Sequence, residues 1–397
     1  MLKVVNTLTP PTVEKFKVNP PGLLKLGFFN TIFQAVARKH HEKFYEESKI
    51  IHANDEEEIK INIRRCKKNN KKENEAKTLT IVSHGLNAHS GFTQVTGLAD
   101  AALQTGSDIW GWDMIGHGVD LNHPTSTSHF IQKRKTRHKG KSARGAHAGS
   151  VQDLNKVIEQ AITEGYEKIN LIGVSQGGLL TLNYLSRNKD SLPPQINKVC
   201  LISTPHDPNE TLNKAEADFF AKKYLHTLFE GSKANILAKE SLEVYDSEEL
   251  RILKNTVHNY RDLVAWSIKN GIFAHAQEGF SENFSDQKDY FAKHTVDLSQ
   301  LNKSVPILVI NAEDDPVISD KDHENYELQS QHSSNFFYSK PKEGGHASFA
   351  QSITGTLWEK WFSKENKLWW HEKLTQAFLL LEPEKFRENY KHVLAEK

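Results

Sequence analysis

The run Ile169-Asn-Leu-Ile-Gly-Val174 is apolar in the way of a strand buried on both faces. It passes directly into Gly173-Val174-Ser175-Gln176-Gly177-Gly178, after which apolar positions recur at helical spacing from Gly177 to Leu185. Strand, tight turn and helix therefore follow one another without a linker. A Gly-x-Ser-x-Gly turn in that context forces its serine into a strained backbone shape, and its small residues let strand and helix approach closely. The Ser175 hydroxyl is then expected to project from the edge of a sheet.

Other runs read the same way. Thr78 to Ser83, Asp108 to Trp112, Val199 to Ile202, Ile307 to Ile310 and Asn335 to Tyr338 are short, apolar and β-branched or aromatic. Ile59 to Ile63 alternates, as an edge or antiparallel strand does. Helical patterns separate most of these runs; Ser150 to Ile162 places Val151, Leu154, Val157, Ile158 and Ala161 on one face. The alternation predicts an α/β fold with a doubly wound, mostly parallel sheet.

The alternation stops between Ser203 and Val305, where the sequence is helical and polar with scattered anchors such as Phe219, Phe220, Leu253 and Trp266. This predicts four parts: an N-terminal arm and helix over 1–50, a first core part over 51–204, an inserted helical cap over 205–303, and a second core part with C-terminal helices over 304–397. In the arm, Pro10, Pro11, Pro20 and Pro21 break regular structure, and a helix is expected from about Leu23 to Glu47, packed on the domain or touching membrane or an acyl substrate. The tail from Leu357 to Val393 reads as helical, with Trp358, Trp361, Phe362, Trp369, Trp370 and Phe378.

Composition removes several classes of function. The 397 residues carry 51 basic and 50 acidic side chains, a net of +1, which argues against a general nucleic-acid binder. No run approaches the ~18 apolar residues of a membrane span. Met1 to Thr7 lacks the apolar centre of a signal peptide, so a soluble, cytoplasmic protein is expected. The two cysteines, Cys66 and Cys200, are too few for a disulfide scaffold or a cysteine-based zinc site.

A nucleophilic serine needs a base, and the base needs an orienting acid. Downstream of Ser175, a strand run leads into Ile310-Asn-Ala-Glu-Asp-Asp-Pro-Val317, which places an acid at the edge of the sheet where ligands bind. After the last strand run, Gly344-Gly345 leads into His346. Ser175, Asp315 and His346 are thus the expected nucleophile, acid and base. Asp314 is the alternative acid; Asp315 is preferred because it directly precedes Pro316, leaving Asp314 to cap the loop. The oxyanion formed on acyl attack needs N–H donors. Gln176, after the nucleophile, and Leu86, in the loop His84-Gly85-Leu86-Asn87-Ala88-His89-Ser90-Gly91, are the candidates. His84 is expected to support that loop rather than act as the base.

As a set, these residues resemble the α/β-hydrolase superfamily, in particular its monoacylglycerol-lipase and serine-aminopeptidase-like branch. The marks are His84-Gly85-Leu86 with His89-Ser90-Gly91, Trp112-Asp113-Met114-Ile115-Gly116-His117-Gly118, and the turn at Ser175. The segments Val305 to Val317 and Gly344 to Phe349 are similar to the YheT-type esterases. The resemblance covers roughly 55–360. It implies Ser175, Asp315 and His346 as the triad, Leu86 and Gln176 as oxyanion donors, hydrolysis of carboxylic esters, and no metal or organic cofactor. Ile115 stands where those relatives usually have arginine, and Gln176 where they often have methionine. His117 is expected to be a structural loop residue.

Between Asp120 and Asp153 there is no acidic residue, while Lys133, Arg134, Lys135, Arg137, Lys139, Lys141 and Arg144 stand close together. The run reads as a solvated loop; the alternatives are a peripheral docking patch, Lys133 to Arg144, for anionic lipid headgroups or an anionic substrate, and, with no aromatic interleaving to favour it, contact with nucleic acid or a nuclear-localisation role. The expected activity is a serine esterase acting on a small-molecule or lipid-derived ester, of lysophospholipase or monoacylglycerol-lipase type. Acyl transfer on the same triad stays open. So does an aminopeptidase using Glu216, Asp218, Glu243 or Glu248 to hold an amine, and a silent scaffold used for binding.

Overall fold

The computed structural model describes residues 9–15, 31, 44–52, 60–67, 77–115, 117, 145, 147–237, 245–273, 284–350 and 368–395. Outside them lie most of the expected Leu23–Glu47 helix, Gly116 and Gly118, the basic run Lys133 to Arg144, Glu243, and the tail residues Trp358, Trp361 and Phe362.

Among the described residues, β1 (Glu47–His52), β2 (Lys60–Cys66), β3 (Thr78–Ser83), β4 (Asp108–Asp113), β5 (Lys168–Val174), β6 (Ile196–Ile202), β7 (Ile307–Ile310) and β8 (Phe336–Ser339) form one sheet in the order β1-β2-β4-β3-β5-β6-β7-β8. β2 pairs antiparallel with both β1 and β4, and every other pairing is parallel. The expected mostly parallel α/β sheet is what the chain forms.

Side-chain alternation along the strands sends neighbours to opposite faces. Leu79, Ile81, Ile169, Leu171, Val199 and Leu201 pack on one side with α2 (Val151–Thr163) and α3 (Gln176–Arg187). Val82, Ile172, Val174, Cys200, Ile202 and Phe337 pack on the other, under α1 (Thr93–Leu103), α10 (Trp370–Leu380) and α11 (Pro383–Tyr390). Both faces are covered, which is why these strands read as unbroken apolar runs.

Among the described residues between β6 and β7 are five α-helices: α4 (Pro208–Ala217), α5 (Phe219–Leu237), α6 (Ser247–Thr256), α7 (Tyr260–Lys269) and α8 (Gln287–His294). They carry apolar clusters of their own, one around Phe229, Leu253 and Trp266, another around Val264, Tyr290 and Phe291. The crossover from β7 to β8 is α9 (Asp320–His332).

One expectation is corrected. Glu47, read as the end of the N-terminal helix, opens β1, whose residues pair across to β2 with Ile51 opposite Ile61. The alternating run expected as an edge or antiparallel strand forms β2, which extends to Cys66 and pairs antiparallel with both β1 and β4.

Candidate active site

The ends of the parallel strands converge at one edge of the sheet. His84 follows β3, Met114 follows β4, Ser175 follows β5, Ser203 follows β6, Asp315 follows β7 and His346 follows β8. Topology alone thus brings together residues far apart in sequence.

Ser175 sits between β5 and α3 with φ of 53° and ψ of −117°, a left-handed backbone that an L-residue adopts only under constraint. The constraint is visible. The Ser175 N–H donates to the Ile202 carbonyl at 2.9 Å, and the serine carbonyl receives the N–H groups of Gly178 and Leu179. A Cβ on Gly177 would collide with the backbone carbonyls of His84 and Ser83, and one on Gly178 with the Thr204 side chain.

The Ser175 Oγ lies 2.8 Å from His346 Nε2. On the far side of the ring, His346 Nδ1 is 3.0 and 2.9 Å from the two Asp315 carboxylate oxygens. A carboxylate only accepts, so Nδ1 carries the proton and Nε2 is free to take one from the serine hydroxyl. Asp315 is fully buried, and its Oδ1 also accepts the Val317 N–H at 2.8 Å and the Ile318 N–H at 3.3 Å. Burial alone would raise its pKa; the imidazole of His346 and the Val317 amide outweigh that and hold it below the ordinary carboxylate value.

Asp314 points elsewhere. Its Oδ1 accepts the Gly345 N–H at 2.8 Å. Burial, partly offset by that bond and reinforced by Asp315 and Glu343, pushes its carboxyl up to about 7.

The backbone around His346 is gripped by side chains from distant elements. The His346 N–H donates to Thr31 Oγ1 at 2.7 Å, and the Ala347 N–H donates to Ser203 Oγ at 2.8 Å. Gln94 Nε2 donates to the Ala347 carbonyl at 3.2 Å. Ala347, Phe349 and Ser203 all have positive φ. From α5, the Tyr224 ring stands 5.8 Å from the His346 ring, centroid to centroid. Thr31, Gln94, Ser203 and Tyr224 carry no motif that would single them out in the sequence.

The loop after β3 passes close to Ser175, so that a Cβ on Gly85 would lie 3.4 Å from the Ser175 Cβ. Leu86 follows Gly85 in that loop, and Gln176 takes the first position of α3. His84 is buried beneath the loop. Its Nδ1 donates to the Gly85 carbonyl at 2.7 Å and its Nε2 accepts the Met114 N–H at 3.0 Å. Burial lowers its pKa, in keeping with the neutral ring those two bonds need. Asp113 accepts the Ser90 N–H at 2.6 Å and Asn62 Nδ2 at 2.9 Å. Burial would raise its pKa, but Arg64, His89 and His84 pull it to about 2. His117 is buried with its ring 5.4 Å from that of His84.

Beside Leu86 opens a cavity of about 70 Å³, lined by residues that include Ile115, Ile236, Leu263, Val264, Ile272 and Phe273. Among the described residues, no group of three or more His, Cys, Asp or Glu side chains could hold a metal ion, and no helix is long and apolar enough to cross a membrane.

The family model for the alpha/beta hydrolase fold matches residues 81–352, and the chain belongs to that family. No curated protein matches it. Among solved structures, it is similar to a Pyrococcus furiosus esterase at 12% identity, covering 92% of this chain and 98% of that one with a TM-score of 0.45. It is also similar to Est1E of Butyrivibrio proteoclasticus, solved with ferulic acid bound, at 16% identity over 79% and 97% of the two chains, TM-score 0.43. The alpha/beta hydrolase domain-containing protein 10 from mouse is 14% identical over 76% and 91%, TM-score 0.40.

Proposed function

We propose that the protein is a serine hydrolase that cleaves carboxylic esters, lipid-derived ones in particular, through an acyl-serine intermediate. The observation that carries this reading is the unbroken relay from Ser175 Oγ to His346 Nε2 and from His346 Nδ1 to both Asp315 oxygens. His346 takes the hydroxyl proton as Ser175 attacks the acyl carbonyl. Asp315 holds the ring in its working tautomer and stabilises the imidazolium. The Leu86 and Gln176 amides receive the developing oxyanion. His346 then protonates the departing alcohol, and water releases the acyl group by the same steps in reverse order.

The apolar lining of the cavity beside Leu86 supports an acyl chain as its occupant. A short or medium chain is the expected fit for this cavity. An aminopeptidase would need a carboxylate free to hold the substrate amine, and three of the candidate carboxylates are engaged elsewhere. Glu216 is paired with Arg261, Glu248 with Arg251, and Asp218 Oδ1 accepts the Ala221 N–H.

The test is a chain-length series of p-nitrophenyl esters run beside aminoacyl p-nitroanilides. The reading expects kcat/KM to rise to an optimum and fall again for longer chains. Faster turnover of the anilides, or no dependence on chain length, contradicts the substrate class.

A further inference from the structure

We infer that Asn87 is a positioning residue that ties the oxyanion loop to α5, so that the Leu86 N–H is aimed only while that helix is seated on the core. This deepens the ester-hydrolase reading and rests on it. Asn87 occupies the third position of a turn closed by the Ala88 N–H donating to the Gly85 carbonyl at 3.2 Å. Its φ of 59° is left-handed, which glycine and asparagine tolerate best at that position. Backbone shape explains the residue type only in part, because the side chain is fully engaged as well. Its Nδ2 donates to the Leu228 carbonyl at 2.8 Å. Its Oδ1 accepts Ser232 Oγ at 3.2 Å and Asn235 Nδ2 at 3.1 Å. All three partners lie on α5, a helix of the insertion between β6 and β7. Opposite the Asn87 amide that helix has Gly231, where a Cβ would stand 2.8 Å from Nδ2.

The chemistry makes such a tether matter. An oxyanion donor acts through preorganisation, and losing one costs about 10²–10³ in kcat. Misplacement by about 1 Å costs on the order of 10². Leu86 directly precedes Asn87, so three bonds on the Asn87 side chain limit how far the donor wanders. The same helix sets Tyr224 against the His346 ring. One element therefore contacts both the loop that receives negative charge and the base that moves the proton. Seating α5 readies both.

Two substitutions separate the tether from backbone strain and from stability. Asn87→Gly keeps the left-handed backbone and removes all three side-chain bonds. Gly231→Ala leaves Asn87 in place, improves helix propensity within α5, and pushes the Asn87 amide off its acceptor. Hydrogen exchange of the 84–90 backbone amides needs no substrate and reads the tether itself. Steady-state kinetics on the best p-nitrophenyl ester read its use.

The expected result is exchange in 84–90 at least about tenfold faster in both folded variants. With it, kcat should fall about tenfold or more, while KM moves less than about threefold and the thermal midpoint of Gly231→Ala holds or rises. Wild-type exchange in either folded variant overturns the tether. Faster exchange with wild-type kcat overturns its role in positioning. A wild-type chain that turns over no ester, with exchange still accelerated in the variants, overturns the ester reading and leaves the tether standing.

Discussion

Replacing Asp315 with asparagine is the substitution whose outcome the geometry determines most fully. Asp315 Oδ1 accepts two backbone donors, Val317 at 2.8 Å and Ile318 at 3.3 Å. An asparagine carbonyl must take that place, because an NH₂ group there would face two N–H groups. Its NH₂ then stands where Oδ2 was, 2.9 Å from His346 Nδ1. That NH₂ competes with the carbonyl oxygen, which stays 3.0 Å from Nδ1, and favours the tautomer with the proton on Nε2, the nitrogen 2.8 Å from Ser175 Oγ. The ring keeps its position and loses its function as base. Wrong-tautomer substitutions of this kind cost about 10⁴ in kcat, which at 1.36 kcal/mol per tenfold is about 5 kcal/mol of transition-state stabilisation. The isosteric change keeps both amide bonds, so the protein stays folded. The assay is kcat on a p-nitrophenyl ester, with circular dichroism and a thermal midpoint as the folding control. Asp314→Asn is the matched control, since its amide oxygen still accepts the Gly345 N–H. A folded Asp315→Asn that loses less than tenfold, or an Asp314→Asn that loses as much, refutes the assignment of the acid.

Three further outcomes follow from the same contacts. The Asp314 pKa near 7 lies above its ordinary 3.8, so the native state holds a proton that the unfolded chain has released; stability should fall as pH rises from about 4 to 7, and Asp314→Asn should flatten that decline by about 1–4 kcal/mol in urea unfolding at several pH values. Thr31→Val leaves the buried His346 N–H without its acceptor; about 1–3 kcal/mol of stability should go and kcat should fall, with Thr31→Ser restoring both, whereas a Val variant with wild-type midpoint and kcat removes Thr31 from the account. Gly177→Ala meets backbone carbonyls that cannot turn aside, so denaturant unfolding should show a loss of about 3 kcal/mol or more, and a wild-type midpoint would contradict the close approach of turn and loop.

The central strands were legible because their burial is two-sided. Thr78 to Ser83 or Ile307 to Ile310 have no solvent face, so the chemistry is written along the whole run. β1 was not legible for the opposite reason. It is an edge strand with Glu47, Ser48 and Ile50 exposed, and only Ile51 packs inward, so it carries neither an unbroken apolar run nor a clear alternation. The chain order of serine, acid and histidine could be read because each follows a recognisable strand. The choice of Asp315 over Asp314 leaned on Pro316; in the structure the amides just past that proline, Val317 and Ile318, turn back onto Asp315. Thr31, Ser203 and Asn87 could not be found that way. Their roles depend on partners 315, 144 and 141 residues distant, and a single hydroxyl or amide leaves no periodic trace.

The most direct test of the central claim is active-site labelling with a fluorophosphonate, on the wild type and on Ser175→Ala, with the modified peptide identified by mass spectrometry and ester turnover measured on the same samples. The account predicts one label per chain, located on Ser175, with both label and turnover lost in a folded Ser175→Ala. A folded wild type that takes no label, or a Ser175→Ala variant that keeps its turnover, contradicts it.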